Sequence, residues 1–499
     1  MVTYEGKAKA TPVQDSGNRS AITANTPYKV CEERLSAFGG LLPLIKMLDL
    51  IGFKQAFEKH YVAPPRECKL GDERMVCGFL TLLFIGFQRV AHFEYIRQDP
   101  MVCGTLKVER LPAVSTFWRY LKSLGIVQSA SLLRLSATLR KKVWSEIKWA
   151  PEMVSVDIDT TTATVYGDVE GGKVGYNTKH RGKKGLRPIF LFVAETREFL
   201  CGTQRKGSTL EGREAANEIR KIRAQLPTCV KTVLIRADGE MTNQESVEAC
   251  ENEGFSYILG NKRCTPKFPK DGWYRHGEDE YNECFYQPMG WNKERRFVVM
   301  RIRKDEANRR QLTLEECEGY MHRIFVTNLE DAPHKIAAHY DKRAAAENLI
   351  GEAQREGILA IPSNKFHANH AFFQIVMLAY NLWRWTKLLA GAAENQKFSP
   401  VLNREVGKKL GMPDHTNRLA RLKLLFIAAK IQSHSGRNVV RYSMHDSRSE
   451  GLMGFLRFLD ERRKRIAATT DSVRSAVQKN LCTNGHYRVV GGQICLKVA

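Results

Sequence analysis

A mixed α/β fold with a β-rich insertion, flanked by α-helical N- and C-terminal regions, is the fold this sequence predicts. Three observations carry that reading. Apolar residues recur at helical spacing up to about residue 148. From about 150 the period drops to two, and strand-like runs then alternate with amphipathic helices. Residues 262–330 break that alternation with turns, aromatics and further strand-like runs.

In chain order, residues 1–28 are polar and read as a disordered basic arm. MVTYEGKAKATPVQDSGNRS has no apolar core segment and is not read as a signal peptide. Residues 29–148 are expected to form a helical DNA-binding domain. Its most apolar run, Met75 to Phe87, is shorter than the roughly 20 residues a membrane span needs, so it predicts a buried helix. LPAVSTFWRYLKSLG reads as a turn and a short helix with Ser115 or Thr116 as N-cap, either a helix-turn-helix recognition element or an ordinary capped helix. The α/β core is assigned to 149–261 and 331–392. VSVDID, RPIFLFV, REFLCGT, KTVLIRAD and FSYILGNK supply its strands, and LEGREAANEIRKIRAQL and NQESVEACENEG its helices. RRFVVMRIRKD and HRIFVTNL are strands of an inserted subdomain at 262–330. A helix over 335–357 and the buried helix HAFFQIVMLAYNLWRWTKLLAG complete the core. Residues 393–499 are expected to be helical and basic to about 470, RLARLKLLFIAAKIQ included, and irregular beyond.

Composition narrows the function. With 78 Lys+Arg against 54 Asp+Glu, a net charge of +24 favours a polyanionic partner, because each neutralised phosphate releases counterions. The chain of 499 residues is too long for one core, and 43% hydrophobic content excludes a wholly disordered chain. Twelve scattered cysteines without a Cys-x-x-Cys pair fit reduced cytoplasmic thiols better than a disulfide frame or a zinc ribbon. His367 and His370 lie one helical turn apart with no second ligand pair nearby, which favours packing or capping over zinc.

The chemistry rests on acids at strand ends. Asp159 closes VSVDID, and Asp238 follows VLIRA. A carboxylate there is rigidly placed and costly to bury without a cation. On a helix, Tyr340, Arg343, Glu347 and Gln354 fall within one narrow face. Glu347 can complete a metal site, or can form an ordinary i,i+4 pair with Arg343. Mg2+ or Mn2+ suits such hard oxygen ligands, and two ions roughly 4 Å apart can serve phosphodiester chemistry. Asp157 shares the strand face of Asp159 and is either its partner or the ligand itself. Lys179, Arg181, Lys183 and Lys184 form a basic run that can line a DNA path or simply face solvent.

Together these segments resemble the catalytic core of bacterial insertion-sequence DDE transposases, in the branch with a Tyr-Arg-Glu helix. Tyr340, Arg343 and Glu347 match Y-x2-R-x3-E; Gln354, with Arg355 beside it, stands where a lysine is usual. The Thr160-Thr161 pair after Asp159 selects that residue over Asp157. Arg236-Ala237-Asp238 matches the second acid, although Gly239 and Glu240 follow where serine-glycine is usual. YNTKHRGKKGLRPIFLF and FHANHAFFQIVMLAYNLWRW resemble flanking segments of that group, which is most similar to the insertion-sequence family numbered 1380.

The resemblance implies a ribonuclease H-like core with Asp159, Asp238 and Glu347 as catalytic metal ligands. It implies binding to terminal inverted repeats, cleavage by metal-activated water and transfer of the 3′-OH to target DNA. Tyr340, Arg343, Gln354, Arg355 and the basic run would contact double-stranded DNA. Trp291, or else Trp273, would stack on a flipped base unless it is a core residue. A homodimer in the DNA complex, no membrane partner and a cytoplasmic, nucleoid-associated location are expected. The competing readings are a catalytically silent, transposase-derived regulator and a ribonuclease H-like nuclease.

Overall fold

The computed structural model describes residues 22–175, 180–208, 210–262, 264, 266–303, 315–317, 319–395, 412–483, 487–490 and 493–496. Most of the polar arm and Lys179 therefore lie outside the described residues. The N-terminal region is helical, as expected: α1 (Leu41–Leu50), α2 (Phe53–His60), α3 (Asp72–Ile85), α4 (Pro100–Thr105), α5 (Val114–Ser123) and α6 (Ile126–Glu146). The apolar run predicted as a buried helix forms α3, with Phe79 and Phe84 fully enclosed. Among the described residues no single helix is long and apolar enough to cross a membrane. Neither Ser115 nor Thr116 caps α5. Ala113 occupies that position without a side-chain bond, because the helix begins two residues earlier than a Ser115 cap would place it.

Strands β1 (Met153–Thr160), β2 (Ile189–Val193), β3 (Glu198–Thr203), β4 (Thr232–Ala237) and β5 (Ser256–Asn261) stand in the order β3-β2-β1-β4-β5. The first three are antiparallel and β1, β4 and β5 are parallel. Helices α7 (Gly212–Gln225) and α8 (Gln244–Asn252) supply the crossovers on either side of β4. Val154, Val156, Ile158, Val233, Ile235 and Ala237 share the core cluster that these helices cover. By the pleat, Asp157, Asp159 and Arg236 point to the opposite face.

The β-rich segment continues this sheet. Strands β6 (Tyr274–His276), β7 (Asp279–Tyr286), β8 (Arg295–Arg303), β9 (Glu315–Cys317) and β10 (Tyr320–Thr327) extend it past β5, with β10 antiparallel to β5. Helix α9 (Pro333–Asp341) packs beneath the extension, burying Ile336 with Ile258, Val298 and Phe325. A 3-10 turn, Lys342–Ala344, leads into α10 (Ala345–Ala353) and a π-turn, Gln354–Ile358. Gly357 ends the run at φ +121°, a conformation disfavoured for residues bearing a Cβ. The buried helix follows as α11 (Phe366–Asn395), enclosing Trp383 and Trp385.

The C-terminal region departs from the expected helices. Ala429–His434 pairs with Arg437–Tyr442 and with Leu35–Ser36. RLARLKLLFIAAKIQ is thus helical only to Leu425, because Ala429 and Ile431 reach burial by alternation in a strand. Helix α12 (Ser449–Thr483) matches the basic helix, and beyond it Tyr487–Val490 pairs with Gln493–Leu496 where irregular chain was expected.

A buried charge fastens the helical layers to the sheet. Glu198 on β3 is fully enclosed and accepts hydrogen bonds from Arg140 Nε at 3.1 Å, Trp144 Nε1 at 2.7 Å and Trp385 Nε1 at 2.8 Å. Arg140 also donates to the carbonyls of Gln225, Phe199 and Leu200. Removing one member of such a pair strands the other. Glu198→Ala is expected to cost about 3–5 kcal/mol, read as a lower denaturant midpoint; a loss within measurement error would refute it.

His370 behaves as the packing histidine the sequence suggests, bonded to Thr203 Oγ1 at 2.6 Å and Ser129 Oγ at 2.8 Å. Burial pushes its pKa down to about 4 from 6.5. The folded state therefore rejects a proton that the unfolded chain accepts. The contribution is complete above about pH 6.5 and is lost as pH falls through about 4. The melting temperature of His370→Asn should depend less on pH between 7 and 4.5 than that of the wild type; identical slopes would count against this account.

Candidate active site

Asp159 leaves β1 at its C-terminal end, and Asp238 follows the neighbouring parallel strand β4. Parallel register sets Asp157 opposite Arg236. Arg236 grips Asp157 with both arms of its guanidinium, Nε to Oδ1 at 2.7 Å and Nη2 to Oδ2 at 3.0 Å. Its Nη1 donates to the carbonyl of His339 in α9 at 2.9 Å. Both oxygens of Asp157 are thereby taken up by the Arg236 guanidinium.

Asp159 sits where several charges meet. Its Oδ1 accepts the Thr160 N–H at 2.7 Å, and its Oδ2 lies 3.0 Å from Arg343 Nη2. Burial, together with repulsion from Asp238 and Glu347, raises its pKa to about 6 against the pull of Arg343 and the Thr160 amide. Asp238 and Glu347 thus lie within electrostatic reach of Asp159. Asp238 Oδ1 accepts the Glu240 N–H at 3.1 Å. Glu347 is exposed in the first turn of α10.

The remaining predicted residues divide. Tyr340 packs on Phe325, ring centroids 4.7 Å apart, and a Cβ on Gly260 would come within 2.9 Å of its hydroxyl. Tyr340 therefore docks the helix on the sheet instead of presenting an open face. The 3-10 turn interrupts the uniform helical face the sequence suggested and carries Arg343 to Asp159. Gln354 donates to Thr161 Oγ1 at 2.7 Å, fastening the far end of the helix to the segment after Asp159. Arg355, Arg181, Lys183 and Lys184 are exposed; Lys184 begins a strand that pairs with Ala163–Thr164 just beyond Asp159.

Trp291 packs away from the acids. It precedes β8, whose Arg296 pairs with Thr327 opposite Ile258, so the turn that carries it lies toward the N-terminal ends of β4 and β5. The acids stand at the other end. Trp291 rests against Phe297 and the Arg295 guanidinium, a packing role. Trp273 stacks 3.8 Å from the Arg301 guanidinium, and Arg301 pairs with His322 at the carboxylate end of the sheet.

Sequence reasoning gave Arg187 and Glu240 no role in the site. Glu240 receives Thr160 Oγ1 at 2.9 Å and Arg187 Nη2 at 2.8 Å, bracing the turn after Asp159. The one sequence signal was the glutamate two residues beyond Asp238, where serine-glycine was expected.

A family model, "Transposase DDE domain group 1", matches residues 29–459. The chain belongs to the DDE transposases. No curated protein matches in sequence. Two solved structures are similar at a distance. The cryo-EM structure of the piggyBac transposase synaptic complex with hairpin DNA shares 8% identity over 83% of this chain and 85% of that chain, with a TM-score of 0.38. The Mos1 transposase paired-end complex with left transposon end shares 10% identity over 38% of this chain and 59% of that chain, with a TM-score of 0.16. Likenesses this distant leave the family to rest on the sequence match.

Enzymes of this family generally use divalent metal ions. Among the described residues of this transposase, no three His, Cys, Asp or Glu side chains form a ready cage. The donor set nevertheless fits such an ion. It offers hard oxygens, repulsion of Asp159 by Asp238 and Glu347, and a buried carboxylate whose charge is disfavoured without a cation.

The two aspartates of β1 are separable by experiment. Asp157→Ala should lower stability by about 3–5 kcal/mol by stranding Arg236. Asp159→Ala should cost less, because Arg343 keeps the Ile158 carbonyl and the nearby Asp238 charge as partners. Equal losses in denaturant titrations would show that both are structural.

Proposed function

We propose that this protein binds the terminal inverted repeats of its own mobile element, cleaves DNA there and joins the freed 3′-OH to target DNA. The core is read as ribonuclease H-like. Supporting that reading is the order β3-β2-β1-β4-β5, with three antiparallel strands followed by two parallel ones. The observation that supports the functional reading is that Asp159 and Asp238 stand at the C-terminal ends of the adjacent parallel strands β1 and β4, with the Glu347 charge close enough to act on Asp159.

These three residues would hold Mg2+ or Mn2+, two ions in the fully loaded site. When bound, the ions polarise the phosphate and activate the attacking oxygen. The chain's own residues do the positioning. Arg236 locks both acidic strands and α9 into one unit. Gln354 and Glu240 hold the turn after Asp159 from two sides, through Thr161 and Thr160. Arg181, Lys183, Lys184 and Arg355 expose positive charge for the DNA backbone, which positions the duplex without reading its sequence. Trp273 replaces Trp291 as the candidate for stacking on a displaced base, because it lies at the carboxylate end. Pairing of two element ends implies a homodimer in the DNA complex.

Asp159→Ala, Asp238→Ala and Glu347→Ala should each abolish Mg2+- or Mn2+-dependent nicking of a labelled duplex carrying the element's end, while binding of that duplex persists. A variant that still cleaves would remove its residue from the site. End binding without cleavage in the wild type would favour the silent regulator, and hydrolysis without strand transfer would favour a nuclease.

A further inference from the structure

Both oxygens of Asp159 are engaged by the protein itself, Oδ1 by the Thr160 amide and Oδ2 by Arg343. Asp238 has only the Glu240 amide on Oδ1 among its described hydrogen bonds, and Glu347 is exposed. The positive charge at the centre of the acid cluster is therefore a side chain. Arg343 is buried, and its Nη2 also donates to the Ile158 carbonyl at 3.3 Å. Its Nε, however, is buried without a hydrogen bond. A guanidinium with an idle donor forms paired bonds readily with a phosphate, whose oxygens match its planar fork. The residue rises from the 3-10 turn between α9 and α10, where helical geometry is already altered.

We propose that Arg343 and a divalent cation compete for Asp159, and that DNA settles the competition by drawing the guanidinium onto a phosphate. This rests on the metal-dependent reading above and adds its regulation. In the DNA-free protein, Arg343 neutralises Asp159 and weakens cation binding. When DNA engages Arg343, Asp159 becomes available as a ligand. Metal and DNA then reinforce one another's binding by the same factor, since coupling between two sites is reciprocal. The acid cluster is armed only in the presence of a substrate phosphate, which limits metal-dependent cutting by the free protein.

The test titrates Mn2+ into the full-length protein by calorimetry, without DNA, for wild type, Arg343→Met, Arg343→Gln, Arg343→Lys and Asp159→Asn. Arg343→Met and Arg343→Gln should bind Mn2+ roughly ten-fold more tightly than wild type, within the usual range of coupling between sites. Arg343→Lys, which keeps the charge, should stay close to wild type. A duplex carrying the element's end should tighten Mn2+ binding to wild type and add little to the neutral variants. Melting curves identify any variant that fails to fold, and the second neutral substitution keeps the comparison available. If both neutral variants bind Mn2+ no more tightly than wild type while Asp159→Asn weakens binding, the competition is refuted and the metal site stands. If Asp159→Asn leaves Mn2+ binding unchanged, both readings fall.

Discussion

The geometry of the acid cluster depends on one buried pair, Arg236 with Asp157. A single guanidinium joins two parallel strands and the last turn of α9. On each strand a single residue separates this clamp from the catalytic candidate. Asp159 is two positions beyond Asp157, and Asp238 two beyond Arg236. Any slip in β1–β4 register would move both acids and break the bidentate contact at once. A buried ion pair is an expensive way to gain stability. Here its directionality fixes where two carboxylates and the approaching helix lie.

The same logic recurs deeper in the molecule with different chemistry. Glu198 gathers α6, α11 and β3 through Arg140 and two indole N–H groups. Arg421 reaches the carbonyls of Leu83 and Phe84 and pairs with Glu356 in the π-turn after α10. The stretch from α9 to the π-turn, which carries Glu347, is thus held at α9 by Arg236 and at the π-turn by Gln354 and Arg421. Its middle, at Arg343, is where a side chain with an idle donor sits. Rigid ends around a responsive centre allow a local exchange of partners without moving the scaffold.

Much of this was legible in the residues because the signals were local. Alternation in VSVDID located Asp159 and its face, continuous apolar runs marked β4 and β5, and helical spacing marked α3 and α11. Elements whose identity is decided by distant partners were not legible. Ala429–His434 reads as helix by composition, but Leu35–Ser36 and Arg437–Tyr442 offer it hydrogen bonds on both edges. The segment 262–330 read as a separate insertion because its turns interrupt the α/β rhythm. Sequence alone does not show that β10 pairs with β5. Arg187 and Glu240 lie 53 residues apart and meet only because β2 and the turn after β4 flank β1.

That long-range pairing also decides which aromatic residues can serve the site. Along the extension, β8 and β10 run antiparallel, so residues at opposite ends of one hairpin lie at opposite ends of the sheet. Trp291, at the β7–β8 turn, is carried away from the carboxylates, while Arg301 and Tyr320 are carried toward them. The Arg301 guanidinium lies 3.8 Å from the Trp273 ring centroid and 4.5 Å from that of Tyr320. Glu280 fixes the guanidinium against both rings through Nε at 2.6 Å. A planar cation clamped in this way costs little further entropy to order and holds the indole plane steady. Extending the sheet therefore does more than add strands: it carries a rigid aromatic and cationic surface to the end of the sheet where the acids lie.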